Sequence, residues 1–412
     1  MQKLLFVDDE PMVLQGLRRS LHSMSHEWDM TFVESGDAAL QVLDHEPFDV
    51  IITDMRMPKM DGAQLLEEVK RRHPGMVRMV LSGQSSREAV LRSLSPTHQY
   101  MSKPCDPQDL RTKVAQAFAM RDLLENPRLK ALISGLKSIP SLPAVYDELM
   151  EELQSEDSST ARVGTIISKD AGMTAKILQI ANSAFLGLRH HISNPAQAVC
   201  MIGMDMVRAL VVSVNVFSQF EGKSSVSSRW QDLWEHSLAV AGLAKRIAAS
   251  QKAVKVIVED SFTAGLLHDI GKIILLAEVA DEYAALLDSL VDPSVSLADL
   301  EREKFGCTHA DVGAYLIGIW GLPHSLTQAV GFHDRPGLCV ENRFSPLTAT
   351  HAADAIVSEK HRSATTQDIA LDRAYLDKLG VAEHEAEWRE LYEEEIKQNA
   401  REVGHDRKNP VC

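Results

Sequence analysis

Acidic side chains follow short apolar runs in the N-terminal part of the chain. Asp8 and Asp9 come directly after the run LLFV, and Asp54 ends the run FDVIIT. The hydroxyl group of Ser82 closes the run VRMVLS, and the ammonium group of Lys103 follows HQYMS. Carboxylates that share one edge of a fold repel one another, so the set invites a hard divalent cation with oxygen ligands. We therefore predict a magnesium site at which Asp54 attacks phosphorus as a carboxylate nucleophile.

An alternative interpretation needs no chemistry at these positions. In it, Asp8 and Asp9 cap the helix that follows them, and Lys103 balances surface charge. That explanation is the more common one for any single residue, but it accounts poorly for five polar residues at successive run ends. In the preferred interpretation, Ser82 and Lys103 bind the phosphoryl oxygens that the cation does not hold.

A second set of candidate ligands is spread over the C-terminal part of the chain. Helical periodicity puts His236 in an apolar stripe with Leu233 and Val240, so its imidazole should face a core. Each such residue alone is more often a hydrogen-bonded core group than a ligand. Burying these histidines and aspartates without partners would cost several kcal/mol for each residue, so they should contact one another or a cation. The six candidates are His236, His268, Asp269, His309, His333 and Asp354.

The chemistry of these six residues suits a first-row transition metal. Neutral imidazoles and carboxylates are ligands that iron, manganese and zinc accept. The neighbours His268 and Asp269, in the stretch GLLHDIGK, would present both groups to one pocket, and Asp269 could then bridge two ions. We predict that the six side chains cluster in space and that the cluster binds at least one metal ion.

The elements that carry the two sets differ in pattern. In the N-terminal part, LLFV is followed by PMVLQGLRRSL, FDVIIT by DGAQLLEEVKRR, and VRMVLS by SREAVLRSL. This alternation predicts βα units in a doubly wound parallel sheet, whose chemistry gathers at the carboxyl ends of the strands. From residue 130 to about 360 the pattern is helical with no convincing strand, which predicts an irregular helical bundle.

Length, charge and cysteine content limit the class of protein. A chain of 412 residues exceeds what one core usually serves, so two or three domains are expected. The net charge of −15 repels DNA and anionic membranes, and no window reaches 18 uninterrupted apolar residues, so neither a nucleic-acid partner nor a membrane span is expected. Five scattered cysteines fit a reducing, cytoplasmic location and argue against a thiolate zinc site.

The N-terminal part resembles the receiver domain of two-component response regulators. VDDEP, TDMRMPKMDG, LSG and YMSKP carry the resemblance and occur in this order. It implies a five-stranded, flavodoxin-like α/β fold in which Asp54 is the phosphoacceptor. It also implies that Mg²⁺ binds to Asp8, Asp9, Asp54 and the backbone carbonyl group of Arg56.

The same resemblance assigns roles to residues around the acceptor. Ser82 would be the switch hydroxyl, Lys103 the phosphate-sensing lysine, and Tyr100 the aromatic residue whose rotamer reports phosphorylation. The implied partner is a sensor histidine kinase or a phosphotransfer protein. Because the last helices and strand of receivers often form a dimerisation face, a homodimer is left open.

The six histidines and aspartates resemble the HD superfamily of metal-dependent phosphohydrolases in their order along the chain. The wider resemblance is to the HDOD domain, through SIPSLPAVYDEL, ISKDAGMTAKILQIANSAFLG, GLLHDIG, GCTHADVGAYLIGIWGLP and FHDRP. The loop FHDRPGLCVENRF lacks the Gly-Tyr-Pro of the cyclic-dinucleotide hydrolases called HD-GYP. Lys272 matches a lysine that contacts a phosphate in those relatives. An equal alternative is that Lys272 is a surface lysine after Gly271.

These observations predict a phosphorylation-controlled response regulator whose all-α, HD-like module acts as a scaffold for an unidentified downstream protein. The alternative is that the module is a metal-dependent phosphodiesterase, with a cyclic dinucleotide as the candidate substrate. The predicted divisions are a receiver at 1–122, a linker at 123–130, the HDOD domain at 131–362, a helical extension at 363–404 and a disordered tail at 405–412.

Overall fold

The computed structural model describes most of the chain. The described residues are 2–82, 97–103, 105–121, 126–136, 140–141, 143–155, 157–182, 192–208, 211, 218–219, 224–290, 295–340, 343–360 and 369–406. The helix expected over SREAVLRSL lies outside these residues, as does the end of the predicted tail from 407 onward.

The chain forms two compact units, and each is made of two separate segments of the sequence. One unit holds Met1–Phe220 together with Glu301–Pro323. The other holds Glu221–Leu300 together with His324–Cys412. The unit that contains the predicted receiver therefore also contains part of the helical region, including a segment that returns from much later in the sequence.

A parallel sheet forms the centre of the receiver, as the alternating pattern predicts. Its strands are β1 (Gln2–Val7), β2 (Trp28–Val33), β3 (Val50–Asp54), β4 (Val77–Ser82) and β5 (Gln99–Ser102), in the order β2-β1-β3-β4-β5. All five residues of β3 are buried, because helices cover both faces of a doubly wound sheet. Buried parallel strands read as continuous apolar runs, which is why the sequence predicts them well.

Helices follow the strands in the receiver. They are α1 (Pro11–Ser20), α2 (Gly36–Leu43), α3 (Gly62–Arg72) and α4 (Pro107–Arg121), with a short 3₁₀ helix at His22–Met24. Gly62 lets α3 begin against the end of β3, because a Cβ atom there would lie 2.2 Å from the carbonyl oxygen of Asp54. A capping box formed by Asp61 and Gln64 starts the same helix. This tight connection holds Asp54 at the carboxyl edge of the sheet.

The rest of the first unit is helical. Its helices are α5 (Pro127–Gly135), α6 (Pro143–Gln154), α7 (Thr160–Ile167), α8 (Ala171–Ala181), α9 (Pro195–Ile202) and α10 (Met204–Arg208). Two short strands, β6 (Pro140–Ser141) and β7 (Ser218–Gln219), pair in parallel, which corrects the expectation that this region has no strand. A ladder of two residues is too short to leave an alternating pattern in the sequence.

The second unit is also helical. Its elements are α11 (Ser224–Ser250), α12 (Lys255–Leu267), α13 (Ile270–Glu278), α14 (Ala280–Asp288), α17 (His324–Phe332), α18 (Pro346–Lys360), α19 (Arg373–Leu379) and α20 (Glu385–Asp406), with 3₁₀ helices at Pro336–Leu338 and Ala382–His384. Between them in the chain lie α15 (Leu297–Phe305) and α16 (His309–Ile319). Helix α20 continues two residues into the segment expected as a tail. Its Trp388 and Tyr392 are buried against α11 and α18.

Helix α16, in the returning segment of the first unit, is capped at both ends. At its start, Thr308 and Asp311 form a capping box in which each side chain accepts a hydrogen bond from the other residue's N–H group. At its end, Gly321 has a φ of +71° and donates its N–H group to the carbonyl oxygen of Gly318. Glycine suits this left-handed position, so the sequence defines both ends of α16 locally.

Candidate functional site

The carboxyl edge of the receiver sheet brings together two of the predicted acids and the predicted lysine. The Nζ atom of Lys103, directly after β5, lies 2.6 Å from a carboxylate oxygen of Asp8 and 2.6 Å from one of Asp54. Asp8 and Asp54 are buried, whereas Asp9 is half-buried. Burial alone would lower the pKa of Lys103, but the hydrogen bonds to Asp54 and Asp8 outweigh it and raise that pKa, so the ammonium group is charged.

Other predicted receiver residues lie around this group. The backbone N–H group of Arg56 donates to Asp54 at 2.8 Å, which fixes the orientation of the carboxylate. Tyr100 is buried in β5 beside β4, and Ser82 ends β4 opposite Ser102. The side chain of Ser82 lies outside the described part of the chain.

The receiver edge suits a divalent cation with oxygen ligands. Asp8, Asp9 and Asp54 carry three negative charges, and Lys103 offsets only one of them. The excess favours a hard cation, and carboxylate oxygens are the donors that Mg²⁺ accepts. The donor set therefore fits the predicted magnesium site, with Asp8, Asp9 and Asp54 as its acidic members.

The second unit brings five of the six predicted histidines and aspartates to one buried place. His236 comes from α11, His333 follows α17, and Asp354 comes from α18. His268 and Asp269 lie at a break between α12 and α13. All five side chains are almost completely shielded from solvent.

A close helix crossing positions the pair at the break. A Cβ atom at Gly265 would lie 2.8 Å from the Cα atom of Ala241, so glycine allows α12 to approach α11. The carbonyl oxygen of the same glycine accepts a hydrogen bond of 2.7 Å from Nδ1 of His268. Gly265 therefore serves both the packing of the two helices and the orientation of the His268 ring.

Distances within this His–Asp cluster, defined as His236, His268, Asp269, His333 and Asp354, are compatible with shared ligation. The Nε2 atom of His236 lies 3.0 Å from Asp354, and that of His268 lies 3.4 Å from Asp269 and 3.8 Å from Asp354. Two triplets have ligand atoms that all lie within 4.8 Å of one another. They are His236 with His268 and Asp354, and His268 with Asp269 and His333.

Hydrogen bonds at Nδ1 define which ring nitrogen could bind a metal. A carbonyl oxygen only accepts, so His268 and His333, which contact the carbonyl oxygens of Gly265 and Val330 through Nδ1, carry their proton there. In the neutral form of the His268 ring, Nε2 then has a lone pair available, the usual arrangement of a metal-binding histidine. Among the described residues, Nε2 of His268 and Oδ2 of Asp354 have no hydrogen-bond partner.

The cluster concentrates negative charge in a buried place. Burial would lower the pKa of His333, but Asp334 at 2.9 Å, Asp354 and Asp269 outweigh it and raise that pKa to about 9. Burial would likewise raise the pKa of Asp354, but His268, His236 and His333 hold it well below its usual range. The Asp354 carboxylate therefore stays ionised, and a cation or protonated histidine must offset its charge.

Lys272 is buried in this cluster, so the interpretation of it as a surface lysine is wrong. Its Nζ atom lies 2.8 Å from Oδ2 of Asp269, and its side chain is 4% exposed. Burial alone would lower the pKa of Lys272, but Asp269, Asp334 and Asp354 raise it to about 12. Lys272 thus supplies one permanent positive charge to a cluster with three carboxylates nearby.

His309, the sixth predicted ligand, lies in the first unit at the start of α16. Its Nδ1 atom and its backbone N–H group each lie 2.8 Å from the same carboxylate oxygen of Glu301. Glu301 is fully buried, so its carboxylate orients the His309 ring through Nδ1. The Nε2 atom of the ring then faces away from Glu301.

Sequence reasoning missed three polar residues that support the candidate ligands. Glu301 holds His309, His351 donates from Nδ1 to the carbonyl oxygen of His333 at 2.8 Å, and Ser358 donates to Asp354 at 3.1 Å. His351 and Ser358 lie three residues before and four residues after Asp354, so helical spacing could have identified them. Glu301 precedes His309 by eight residues across a loop, and no local pattern connects them.

Comparison with known proteins agrees with both parts of the fold. The family model described as "Response regulator receiver domain" matches residues 4–115, and the one described as "HDOD domain" matches residues 139–336. An uncharacterized protein of Treponema pallidum is 24% identical over 230 residues, which are 55% of this chain and 44% of that protein. The hydrogenase transcriptional regulatory protein HoxA of Cupriavidus necator is 36% identical over 122 residues, which are 29% of this chain and 25% of that protein.

A solved structure also resembles the chain. The MmoQ response regulator from Methylococcus capsulatus has 25% sequence identity and a TM-score of 0.46, over 61% of this chain and 98% of that one. The chain spans less than half the length of the two curated relatives named above.

The parallel sheet, the acid–lysine group at its carboxyl edge and the receiver match define a response regulator of two-component signalling. More particularly, the chain is a response regulator in which an HDOD domain follows the receiver domain. A receiver implies a histidine kinase or phosphotransfer protein as its partner. Receiver domains generally bind Mg²⁺, and HD-type domains bind metals. None of the helices in the described ranges is long and apolar enough to cross a membrane.

Proposed function

We propose that phosphorylation of Asp54 switches the HDOD domain, which acts as a scaffold for a downstream protein. The observation that carries this proposal is the bridge from Lys103 to both Asp8 and Asp54, at 2.6 Å each. A lysine that contacts the acceptor carboxylate directly responds to any change of charge on it. Lys103 is the residue through which a phosphoryl group would be sensed.

The chemistry follows from the groups at the receiver edge. A carboxylate oxygen of Asp54 attacks phosphorus in a phosphohistidine, the P–N bond breaks, and an acyl phosphate forms. Bound Mg²⁺ supplies charge neutralisation for the acids and the phosphoryl oxygens. Lys103 then pairs with a phosphoryl oxygen, and the hydroxyl group of Ser82 donates to another. Tyr100 and Ser82 adjust with the strands that carry them, which biases the elements that follow.

A scaffold role for the HDOD domain agrees with the loop after His333. That loop lacks the Gly-Tyr-Pro of the HD-GYP hydrolases, so the substrate-recognition residues of those enzymes are not present. Instead, the side chains of Leu338 and Val340 are 67% and 91% exposed, which suits contact with a protein partner.

A small phosphodonor tests the receiver part of the proposal. We expect the purified chain to gain one phosphoryl group when Mg²⁺ is present and to remain unmodified when a chelator removes the cation. Intact-protein mass spectrometry measures the modification. Sedimentation and hydrogen exchange on the same samples should then change with phosphorylation. Modification without a change in either measurement would contradict a switch that acts on the HDOD domain.

A second function, a metal-dependent phosphodiesterase, is favoured by the His–Asp cluster. The donor set of buried imidazoles and carboxylates fits an iron, manganese or zinc ion, and Nε2 of His268 and Oδ2 of Asp354 lack other partners among the described residues. When bound, such an ion supplies a Lewis acid for phosphate-ester chemistry. Lys272 would then hold Asp269 and stand near a bound phosphate.

Metal analysis tests the second function. We expect the purified chain to retain a first-row metal, and His268→Ala to lower the metal content at least about tenfold, because it removes a ligand. His324→Ala, which alters an exposed histidine of the same unit, is the matched control and should retain the metal. Elemental analysis measures content, and incubation with a cyclic dinucleotide measures hydrolysis. Metal without turnover would contradict the phosphodiesterase and leave an architectural site.

A further inference from the structure

One face of the receiver is covered by a helix from the HDOD region within the same compact unit. Helix α16 packs against α4, the last helix of the receiver, and against α5. Every residue of α16 except Asp311 is buried. The surface formed by β5 and α4, called here the β5–α4 face, therefore has a defined occupant in this chain.

A direct hydrogen bond joins β5 to the end of α16. The Nε2 atom of Gln99, the first residue of β5, donates to the carbonyl oxygen of Gly318 at 3.2 Å. That carbonyl lies in the last turn of α16, where helix carbonyl groups lack partners within the helix. A Cβ atom at Gly321 would lie 3.3 Å from the Gln99 side chain, so the fit between strand and helix end is close.

A buried polar network forms a second connection. The hydroxyl group of Tyr315, in α16, lies 2.6 Å from that of Ser134, in α5. The carbonyl oxygen of Ser134 accepts hydrogen bonds of 2.6 Å from Arg78, in β4, and of 3.0 Å from Nε2 of His98. Arg78 is 1% exposed and His98 is 3% exposed. Fully paired polar groups at this depth specify one arrangement, because any other would leave them without partners.

Helix α8 adds a third connection. The Nε2 atom of Gln179 donates to the carbonyl oxygen of His98 at 3.3 Å, and Oε1 of Gln179 accepts a bond of 2.8 Å from Lys176. The ammonium group of Lys176 lies 5.0 Å from the ring centroid of Trp320, directly after α16. Burial first, and the charge of Lys70 second, lower the pKa of Lys176 to about 7.

Within the first unit, these connections lie between Lys103 and His309 along β5 and α16. β5 extends about 10 Å from Gln99 to Ser102, the residue before Lys103, which contacts Asp54. Helix α16 extends about 14 Å from Gly318, which Gln99 contacts, to His309. One strand and one helix thus link the phosphoacceptor to a candidate metal ligand.

We infer that the β5–α4 face is an intramolecular docking surface for α16, and that phosphorylation of Asp54 reaches the HDOD domain by loosening this contact. The second half of the inference rests on the proposed function. Phosphorylation converts the carboxylate that Lys103 contacts into an acyl phosphate, so Lys103 and the adjoining β5 must shift. A shift of β5 moves Gln99, whose bond to α16 depends on close fit.

Hydrogen exchange in the full-length chain tests the docking without phosphorylation. Gln99→Ala removes the bond to Gly318, and Tyr315→Phe removes the bond to Ser134 while it keeps the ring. Each should accelerate exchange of peptides from α16 about three- to tenfold, because each removes one buried hydrogen bond. Gln108→Ala, at an exposed position of α4, is the matched control and should leave exchange unchanged. Unchanged exchange in both Gln99→Ala and Tyr315→Phe would overturn the docking surface.

The same measurement after treatment with a small phosphodonor and Mg²⁺ tests the coupling. In the unsubstituted chain, phosphorylation should accelerate exchange in α16 about fivefold or more. The increase should be smaller in Gln99→Ala, whose contact is already loose. Phosphorylation at Asp54 with no change in α16 would overturn the coupling and leave the receiver function intact. Absence of phosphorylation would instead overturn the proposed function and the coupling, whereas the docking test would stand by itself. Protection of α16 that rises with protein concentration would indicate a second copy as the occupant and overturn docking within one chain.

Discussion

Replacement of Asp54 with asparagine is expected to abolish phosphorylation of the chain by a small phosphodonor. The amide has nearly the shape of the carboxylate, and its oxygen can still accept the hydrogen bond from the Arg56 N–H group. It lacks the charge and the nucleophilic oxygen that attack on phosphorus requires. The fold should therefore persist while the chemistry is lost. Intact-protein mass spectrometry in the presence of Mg²⁺ measures the modification.

The matched control for this substitution is Asp37→Asn. Asp37 is an exposed carboxylate in the first turn of α2, so its replacement changes the net charge by the same amount. This variant should be phosphorylated as fully as the unsubstituted chain. Modification that survives in Asp54→Asn would place the acceptor at another residue and disprove the assignment.

Lys272→Met is expected to destabilise the second unit by about 3–5 kcal/mol in chelator-treated protein. The substitution keeps most of the side-chain volume and removes the lysine charge that pairs with Asp269, which is fully buried. A buried carboxylate that loses its ammonium partner is costly because the protein interior does not replace its hydration. Urea unfolding followed by the fluorescence of Trp388, which is buried in the same unit, measures the free energy of unfolding.

Two further variants separate the ion pair from other effects of this substitution. Lys272→Met combined with Asp269→Asn removes both charges and should recover much of the lost stability. Lys255→Met is the control, because its side chain is 89% exposed and its pair with Glu259 contributes little. If Lys272→Met lowered the free energy of unfolding by less than about 1 kcal/mol, other groups would have to offset the charge of Asp269. That result would contradict this account of the cluster.

The receiver was predictable from sequence because its signals are local. Each strand is a buried apolar run, and a parallel sheet brings the carboxyl ends of its strands to one edge. The contacts of Lys103 with Asp8 and Asp54 follow from that geometry although the residues are far apart in the chain. The magnesium ligands and the roles of Ser82 and Tyr100 stay predictions.

The HDOD domain was predictable in part. Helical periodicity correctly predicted that the side chains of His236 and Asp354 face a core, because spacing along a helix determines which face is buried. Periodicity does not reveal the break at His268, because the apolar pattern continues through the helices on both sides of it. Periodicity also did not predict the burial of Lys272, because that burial depends on Asp269 and on carboxylates from other elements.

The division into compact units was not predictable from local sequence patterns. A local break in a helical pattern marks where a helix ends, whereas a compact unit depends on which distant segments pack together. The hydrogen bonds from Gln99 to Gly318 and from Ser134 to Tyr315 join residues about two hundred positions apart. No periodic pattern within a single helix encodes such a pairing.

The return of residues 301–323 to the first unit has a consequence for biosynthesis. A chain that emerges from the ribosome in order usually folds its N-terminal domain first. Here the receiver's unit cannot be completed until α16 has been synthesised, after residues 221–300 of the other unit. During that interval the partners of α16, including Ser134 and Gln99, are without their final contacts. A nascent chain arrested before residue 301 should therefore be cleaved by proteases near α4 and α5 more readily than one arrested after residue 323.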